Sequence, residues 1–270
     1  MSSSGAGRVV VVTGANEGIG HHMLRALLDD GYRVVGLDID VRNLESLQET
    51  HPESLRYHEC DVTSDEDVEA AVDAIIAEWG QIDVLVNNAA VLNFGFFEDQ
   101  TLADAKQTFE VNFFGYLRTI HAVLPHMRAR NEGIIHNVSS GVGLVGNPGL
   151  TGYGATKGAI EAFTKSLRLE LQNTNVTVTV MHPTLAATRQ AKELDYPASQ
   201  MSDPADVGRK LARQIESRKP TIFTDWVTRI GLAAAQRFPF LVKKGTERFV
   251  EAHEAAQGTS TAGEPVEAET

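Results

Sequence analysis

Tyr153 and Lys157 are the two residues of this sequence whose types and spacing best suit proton transfer. Residues four apart share one face of a helix, so their side chains can lie next to each other. A tyrosine ordinarily titrates near pH 10. A neighbouring ammonium group favours the phenolate and moves the hydroxyl toward use as a general acid or base near neutrality. By itself the pair is weak, because a surface tyrosine and lysine on an amphipathic helix would have the same spacing.

A glycine-bearing turn over residues 13–20 joins a β-branched run at 9–12 to a helical stretch that ends near Asp30. Glycine at positions 14, 18 and 20 lets the backbone turn sharply and approach a pyrophosphate closely. The start of the helix then offers free N–H groups to an anion. A glycine trio alone is a weak signal, but this one follows a strand and opens a helix, which favours a dinucleotide site.

Asp38 ends the second predicted strand, 18 residues after Gly20. A carboxylate there can accept hydrogen bonds from the adenine ribose hydroxyls, and it would repel a 2′-phosphate. Ile39 stands where a basic residue would help to bind NADP, and Glu17 adds a second negative group. Arg42 is the nearest cation and could weaken this preference. The sequence therefore predicts NAD as the cofactor.

Short apolar runs alternate with helical patterns, which predicts an α/β fold: a Rossmann-like, doubly wound parallel sheet of about seven strands with helices on both faces. Strands are predicted at 9–12, 32–37, 55–59, 82–86, 133–138, 176–181 and 221–224, and helices at about 103–129 and 153–171. Residues 1–224 are predicted to form the cofactor-binding and catalytic domain. Residues 225–256 form an apolar and basic extension, packed on the domain, on a partner subunit or on a membrane surface. Residues 257–270 are predicted to be disordered.

Composition narrows the class of protein. The net charge of -12 argues against nucleic-acid binding. Cys60 is the single cysteine, so an intramolecular disulfide is impossible and a reducing, cytoplasmic compartment is favoured. The N-terminus lacks the pattern of a signal peptide, and no apolar run has the length of a membrane span. The nine histidines are scattered without a ligand motif, so no metal site is predicted.

Further motifs follow in order along the chain: Cys60-Asp61-Val62, Asn87-Asn88-Ala89-Ala90, Asn112, Ser139-Ser140, and Pro183 with Thr188. Together with the turn at 13–20 and Tyr153-Gly154-Ala155-Thr156-Lys157, this ordered set resembles the classical short-chain dehydrogenase/reductase family over about residues 8–223. The resemblance implies an oxidoreductase that transfers a hydride between NAD(H) and a secondary alcohol or ketone, with the cofactor supplying the redox chemistry.

The resemblance also implies a role for each matching residue. The catalytic set would be Ser140, Tyr153, Lys157 and Asn112. Ser140 lies thirteen residues before the tyrosine, the family spacing for the serine that polarises the substrate oxygen, and Ser139 is its competitor. In the family, the asparagine at Asn112 lies at a helix kink and continues a proton path through a bound water. The implied cofactor site comprises Gly14, Asn16, Glu17, Gly18, Ile19, Gly20, Asp38, Asp61, Val62, Asn88, Ala89, Tyr153, Lys157, Pro183 and Thr188.

Two departures from the family pattern bear on specificity, and two alternative functions stay open. Thr184 follows Pro183 where the family often has glycine, which narrows the space beside the nicotinamide, and Ala90 is a milder change.

One alternative function is an NADPH-dependent reductase of 3-oxoacyl thioesters or similar carbonyls, which the carboxylate of Asp38 disfavours. The other is a catalytically silent NAD-binding regulator, against which the complete catalytic set speaks.

The substrate and the partners are predicted more coarsely. Apolar residues near the expected pocket loops predict an apolar or bulky alcohol or ketone: Leu92, Phe94, Phe96, Phe97, Val142, Leu144, Leu150 and Leu185. Residues 185–203 are expected to form a mobile lid, and the long helices predict a homodimer or homotetramer.

Residues 218–250 carry seven basic and two acidic residues among aromatic and aliphatic ones. Packing on the protein is favoured for that stretch over contact with an anionic membrane.

Overall fold

The computed structural model describes residues 7–194 and 201–260, and strands and helices alternate along most of them. The elements are β1 (Val9–Thr13), α1 (Gly18–Asp29), β2 (Arg33–Asp38), α2 (Arg42–Thr50), β3 (Leu55–Glu59), α3 (Asp65–Trp79), β4 (Val84–Asn87), α4 (Leu102–Phe109), α5 (Gly115–Arg130), β5 (Gly133–Val138), α6 (Val142–Val145), α7 (Thr151–Glu170), β6 (Val176–His182), α8 (Pro204–Ala212), β7 (Thr221–Phe223), α9 (Trp226–Arg237) and α10 (Pro239–Ser260). None of the described helices is long and apolar enough to cross a bilayer.

The seven strands form one sheet in the order β3-β2-β1-β4-β5-β6-β7, and every neighbouring pair is parallel. The predicted seven-stranded Rossmann-like sheet is confirmed. The order reverses between β1 and β4, so a crevice opens beyond the carboxyl ends of these two strands. β1 is buried at every position because helices cover both of its faces.

Two hydrophobic cores cover the two faces of the sheet. On one face, Leu24 of α1 packs in the same cluster as Leu211 of α8. On the other face, Ile75 of α3 packs with Val123 of α5 and with the sheet. These apolar layers bury the strands, and the polar groups that remain inside must find partners.

His136 on β5 is such a group. Its ring nitrogens lie 2.6 Å from Thr179 Oγ1 and 2.8 Å from the carbonyl oxygen of Ile215. Burial lowers the pKa of His136 to about 4, because the imidazolium would lose its hydration. The ring is therefore neutral at neutral pH and acts as a buried cross-link between β5, β6 and the segment after α8.

Three features differ from the sequence-based prediction, and a fourth prediction falls partly outside the described residues. The helix expected over 103–129 is divided into α4, a π-helical turn at Glu110–Phe114, and α5. Helix α2 was not predicted, because only Leu44 on it is buried and its apolar pattern is short. Helix α10 continues to Ser260, past the start of the tail predicted at 257, and residues 261–270 lie outside the described residues. The expected lid includes residues 195–200, which are also outside them.

Candidate active site

The glycine turn after β1 packs backbone to backbone against the loop after β4. Gly14 has a φ of +64°, and a Cβ added there would come within 2.7 Å of the Cα atom of Ala89. A Cβ on Gly20 would come within 2.1 Å of the carbonyl oxygen of Gly14. Because side chains do not fit at either position, the turn presents bare backbone to the crevice, as pyrophosphate binding requires.

Hydrogen bonds fix this turn to the end of β4. The Asn88 Nδ2 atom donates to the carbonyl oxygens of Thr13 and Gly14, each at 3.0 Å. The Thr13 hydroxyl accepts from the backbone N–H groups of Asn88 and Ala89, each at 3.0 Å. Among the described residues, no side chain caps the start of α1, so its first N–H groups point toward the cleft.

Asp38 lies at the carboxyl end of β2, beside the turn. Its carboxylate accepts from the backbone N–H of Asn16 at 2.8 Å and from that of Asp40 at 3.2 Å. Burial raises the pKa of Asp38, although these backbone hydrogen bonds oppose the shift. Asn16 turns its side chain away to α2, where its Oδ1 accepts from the N–H of Asn43 at 2.9 Å. Asn16 therefore faces Asp38 with its backbone N–H group, and its side chain serves to hold α2.

Two charged residues near Asp38 behave differently from expectation. Arg42 is exposed and is paired with Asp40, with its Nε atom 2.9 Å from the Asp40 Oδ1 atom. Glu17 is paired with Arg189, whose Nε atom lies 3.0 Å from its carboxylate. Arg42 is thus engaged away from the Asp38 carboxylate, and the negative charge of Glu17 is partly offset. Sequence reasoning missed Arg189, because its partner lies far away along the chain.

Asp61 and Val62 follow β3 at the same edge of the sheet. The Asp61 carboxylate accepts from the backbone N–H and the hydroxyl of Thr63, each at 2.8 Å, and keeps its other oxygen toward solvent. Val62 packs against Gly115 at the start of α5, where an added Cβ would come within 2.8 Å of its methyl group. The two residues form one wall of the cleft beyond Asp38.

Tyr153 and Lys157 lie on one face of α7, as predicted; Lys157 is buried, and Tyr153 is partly buried at the cleft. The Lys157 ammonium donates to the carbonyl oxygen of Val138 at 2.9 Å and to the Tyr116 hydroxyl at 3.3 Å, and it lies 5.5 Å from the centre of the Tyr153 ring. Tyr116 was missed, because nothing in its spacing separates it from ordinary core aromatics. It anchors the lysine from α5.

Burial controls the titration of both groups. It raises the pKa of Tyr153 to about 12, although a hydrogen bond with Ser140 opposes the shift, and it lowers the pKa of Lys157 to about 7. The expectation that the ammonium, together with a nicotinamide ring, favours the phenolate concerns the cofactor-bound site, and in the protein alone burial has the larger effect on the pKa of Tyr153.

The two candidate serines point in different directions. Both serines border the cleft, and Ser140 is the more exposed of the two, with its Oγ atom accepting from the backbone N–H of Val142 at 3.3 Å. Ser139 is 1% exposed, and its hydroxyl donates to the carbonyl oxygen of Lys157 at 3.3 Å. Behind it, the buried carboxylate of Glu161 lies 3.0 Å from the His182 ring and ties α7 to β6. This placement agrees with Ser140 as the hydroxyl that meets a substrate oxygen.

Asn112 lies in the π-helical turn between α4 and α5, where the helix was expected to be irregular. Its side-chain amide holds the loop after β4: Oδ1 accepts from the N–H of Val91 and Nδ2 donates to the carbonyl oxygen of Val91, each at 2.8 Å. Nδ2 also faces the Thr156 hydroxyl at 3.4 Å. Asn112 thus connects the cleft loop with the helix that carries Tyr153.

Pro183 and Thr188 lie on the loop after β6, above the glycine turn. Thr188 packs on Gly18, whose added Cβ would lie 3.2 Å from the Thr188 methyl group. Thr184, the residue that replaces the family glycine, donates its backbone N–H to the Thr224 hydroxyl at 3.1 Å. This bond connects the cofactor side of the cleft to the segment that leads into α9.

The cleft between these elements has a volume of about 1140 Å³. Every predicted catalytic or cofactor-binding residue borders the cleft except Gly20 and Asn112. Gly20 packs beneath the glycine turn, and Asn112 is hydrogen-bonded to Val91 of the loop that lines the cleft. Of the apolar residues predicted around the pocket, four line the cleft: Leu92, Val142, Leu150 and Leu185. The other four, Phe94, Phe96, Phe97 and Leu144, do not, so the prediction is wrong for them.

Helix α9 closes the substrate end of the cleft. Thr228, Gly231 and Leu232 line it, and Leu232 packs on Gly141 next to Ser140. Phe96 instead stacks on His253 of α10, with ring centres 3.6 Å apart. Within the described ranges, no group of His, Cys, Asp and Glu side chains is arranged to hold a metal ion.

Comparison with known proteins agrees with this geometry. The sequence profile of the family described as short chain dehydrogenase matches residues 8–198. A 3-alpha-(or 20-beta)-hydroxysteroid dehydrogenase of Mycobacterium tuberculosis is 37% identical over 188 residues, which cover 70% of this chain and 72% of that protein. A 3-oxoacyl-[acyl-carrier-protein] reductase of Vibrio cholerae is 30% identical over 216 residues, 76% of this chain and 88% of the relative.

A solved structure gives the same picture. The 3-ketoacyl-(acyl-carrier-protein) reductase of Brucella melitensis, complexed with NADH, superposes with a TM-score of 0.74 at 25% identity, covering 81% of this chain and 96% of the other. The family match spans more than half of the chain, and the relatives are matched over most of their length. The chain therefore belongs to the short-chain dehydrogenase family and is an oxidoreductase that acts on alcohol or ketone groups.

Proposed function

We propose that this protein is a cytoplasmic, NAD(H)-linked dehydrogenase that interconverts an apolar secondary alcohol and its ketone. The observation that carries the proposal is the placement of Ser140, Tyr153 and Lys157 along one cleft that Asp38 also borders. Residues 7–224 hold the cofactor and catalytic groups as one domain, and residues 225–256 form an extension that bounds the substrate.

The side chains divide the chemistry among them. Ser140 and Tyr153 hold the substrate oxygen, and Tyr153 accepts its proton during oxidation or returns it during reduction. Lys157 is fixed by its hydrogen bonds to the carbonyl oxygen of Val138 and the hydroxyl of Tyr116. It takes part in moving the proton away from Tyr153. The bound dinucleotide supplies the hydride acceptor or donor. Asn112 positions the cleft loop and extends this polar chain toward Thr156.

The residues present fit a dinucleotide. The backbone cradle at Gly14 leaves no room for a side chain, and the start of α1 faces it, as an anionic pyrophosphate requires. The half-buried carboxylate of Asp38 supports NAD over NADP, because placing it beside a 2′-phosphate would bring like charges together. Arg42, the cation that could offset this repulsion, is paired with Asp40.

The cleft lining supports an apolar substrate. Leu92, Val142, Leu150, Leu185 and Leu232 surround the space next to Tyr153. The similarity to a hydroxysteroid dehydrogenase agrees with a bulky, steroid-like or long aliphatic alcohol. The second candidate is an NADPH-dependent reductase of 3-oxoacyl thioesters, which the similarity to the Vibrio cholerae reductase favours and Asp38 disfavours.

We also propose that identical subunits of this protein associate. Phe114 after α4 and Leu169 on α7 are 44% and 66% exposed, on the helices expected to pair across a two-fold axis. Covering such side chains favours association, so we propose a homodimer or homotetramer. Light scattering of the purified protein measures the mass directly, and a monomer at micromolar concentration would contradict this part.

The decisive experiment follows nicotinamide absorbance with NAD or NADP and secondary alcohols of increasing apolar size, including hydroxysteroids. We expect turnover with NAD, and kcat/KM rising with apolar size. Higher kcat/KM with NADP and a 3-oxoacyl thioester would instead support the reductase. Cofactor binding without turnover of any alcohol or ketone would support the silent regulator.

A further inference from the structure

The outer face of α9 and the first turn of α10 form an exposed apolar surface, called here the C-terminal patch. Its members are Trp226, Val227, Ile230, Phe238, Phe240 and Leu241, exposed by 71%, 59%, 58%, 46%, 63% and 45%. They account for half of the twelve large apolar side chains that are exposed among the described residues. Such clustering of large apolar groups in solvent marks an interaction site rather than ordinary surface.

The opposite face of α9 is already occupied. Thr228 and Leu232 point into the cleft, half a turn away from Trp226 and Ile230. A helix that is apolar on both faces is normally buried on both. Since the inner face closes the cleft, the outer face is the part of this helix that still lacks a cover within the described chain.

Cations surround the patch. Arg229, Arg237, Lys243 and Lys244 are all exposed. Over residues 218–250 the sequence has seven basic and two acidic residues, in a chain whose net charge is -12. One of the two acids, Asp225, caps α9 by accepting from the N–H of Thr228 at 2.7 Å. The patch is therefore a basic region on an acidic protein.

We infer that the C-terminal patch docks on an anionic lipid surface, with α9 lying in the plane of the headgroups. Helices with aromatic and aliphatic side chains on one face and cations beside them bind in this way. Trp226 suits the boundary between headgroups and acyl chains, where its ring is apolar and its N–H stays hydrated. This inference does not depend on the cofactor or substrate proposed above.

The test uses the full chain and vesicles of phosphatidylcholine, with and without phosphatidylserine. We expect co-sedimentation with the anionic vesicles at low salt and its loss at high salt. The double variant Lys243→Glu/Lys244→Glu should lower the partition coefficient at least about tenfold, because each basic residue near the surface contributes about 1 kcal/mol. Trp226→Ser/Ile230→Ser should also abolish binding. Leu102→Ser, which removes an equally exposed apolar group at the start of α4, is the matched control and should bind like the unmodified protein.

A fluorescence measurement separates lipid contact from assembly. The chain has two tryptophans, so a Trp79→Phe variant leaves Trp226 as the reporter. We expect a blue shift and quenching by brominated lipid in anionic vesicles. The inference is overturned by absence of sedimentation at low salt or by patch variants that bind as the unmodified protein does. A change in light-scattering mass in those variants, without vesicle binding, would overturn it in favour of a second copy as the occupant.

Discussion

The two sides of the cleft are built differently. On the cofactor side, turn and loop meet backbone to backbone at Gly14 and Ala89, and Asp38 and Asn88 are hydrogen-bonded to backbone groups. On the substrate side, α9 and α10 use one face each and leave large apolar groups in solvent. The first arrangement tolerates almost no change in shape, whereas the second is held by side-chain packing that can vary. Placement of a common cofactor and choice of a substrate thus rest on different kinds of contact.

Removal of the Tyr153 hydroxyl tests whether the chemistry belongs to the cofactor side. Tyr153→Phe keeps the ring and should lower kcat by roughly 10²–10⁴, the usual contribution of a general acid or base. Binding of NAD, measured by protein fluorescence, should persist. Tyr57→Phe on β3 is a matched control and should keep full activity. Retained turnover in the Tyr153 variant would assign the proton to another group.

Neutralising Asp38 tests the electrostatic part of the cofactor side. Asp38→Asn keeps a side-chain oxygen for the N–H of Asn16 but removes the charge that opposes a 2′-phosphate. We expect the ratio of kcat/KM for NAD over NADP to fall at least about tenfold, since like charges cost several kcal/mol at an interface. Glu45→Gln, on the exposed side of α2, should leave the ratio unchanged. An unaltered ratio in the Asp38 variant would remove the electrostatic basis for NAD.

Acid should weaken the sheet that supports the cofactor side. The pKa of His136 is about 4 in the folded protein, below the ordinary value, so an unfolded chain takes up its proton first as the pH falls. The stability that His136 contributes is complete above about pH 6.5 and is lost progressively toward pH 4. Between pH 7 and pH 5 the loss should be about 2 kcal/mol in urea unfolding.

The matched variant isolates this contribution. His136→Gln should lower stability at pH 7 and reduce the difference between pH 7 and pH 5, whereas His121→Gln at an exposed position should preserve it. If the difference survives in the His136 variant, acid acts on another group.

Shortening one side chain of α9 tests the substrate side of the cleft, and the change expected in KM is the smallest of these effects. Leu232→Ala enlarges the cleft beside Gly141 and should raise KM for a bulky apolar alcohol about tenfold, with KM for NAD unchanged. Ile230→Ala, on the exposed face of the same helix, should change neither value in the absence of lipid. An equal rise in KM for NAD would show that the two sides are not independent.

Sequence reasoning found the parts of this protein that depend on local pattern. β3 and β5 have the predicted bounds, and β5 is buried at every position, as is typical of a central parallel strand. The turn at Gly14 and the acid at Asp38 were found because backbone geometry and charge at a strand end are visible in residue types. The pairing of Glu17 with Arg189 and the anchoring of Lys157 by Tyr116 were not, because each joins residues distant in sequence. Apolar residues in 225–256 indicate packing on the protein, but which face of α9 meets the cleft depends on tertiary contacts.

The bond from Thr184 to Thr224 marks where the chain passes from one side of the cleft to the other. β7 is the edge strand of the sheet, and α9 and α10 follow it. In evolutionary terms, a lineage can exchange everything beyond that edge strand and keep the inherited nucleotide fold intact. The same division makes the protein suitable for chimeras, in which the last two helices of a relative are grafted after Thr224 to change the range of alcohols accepted.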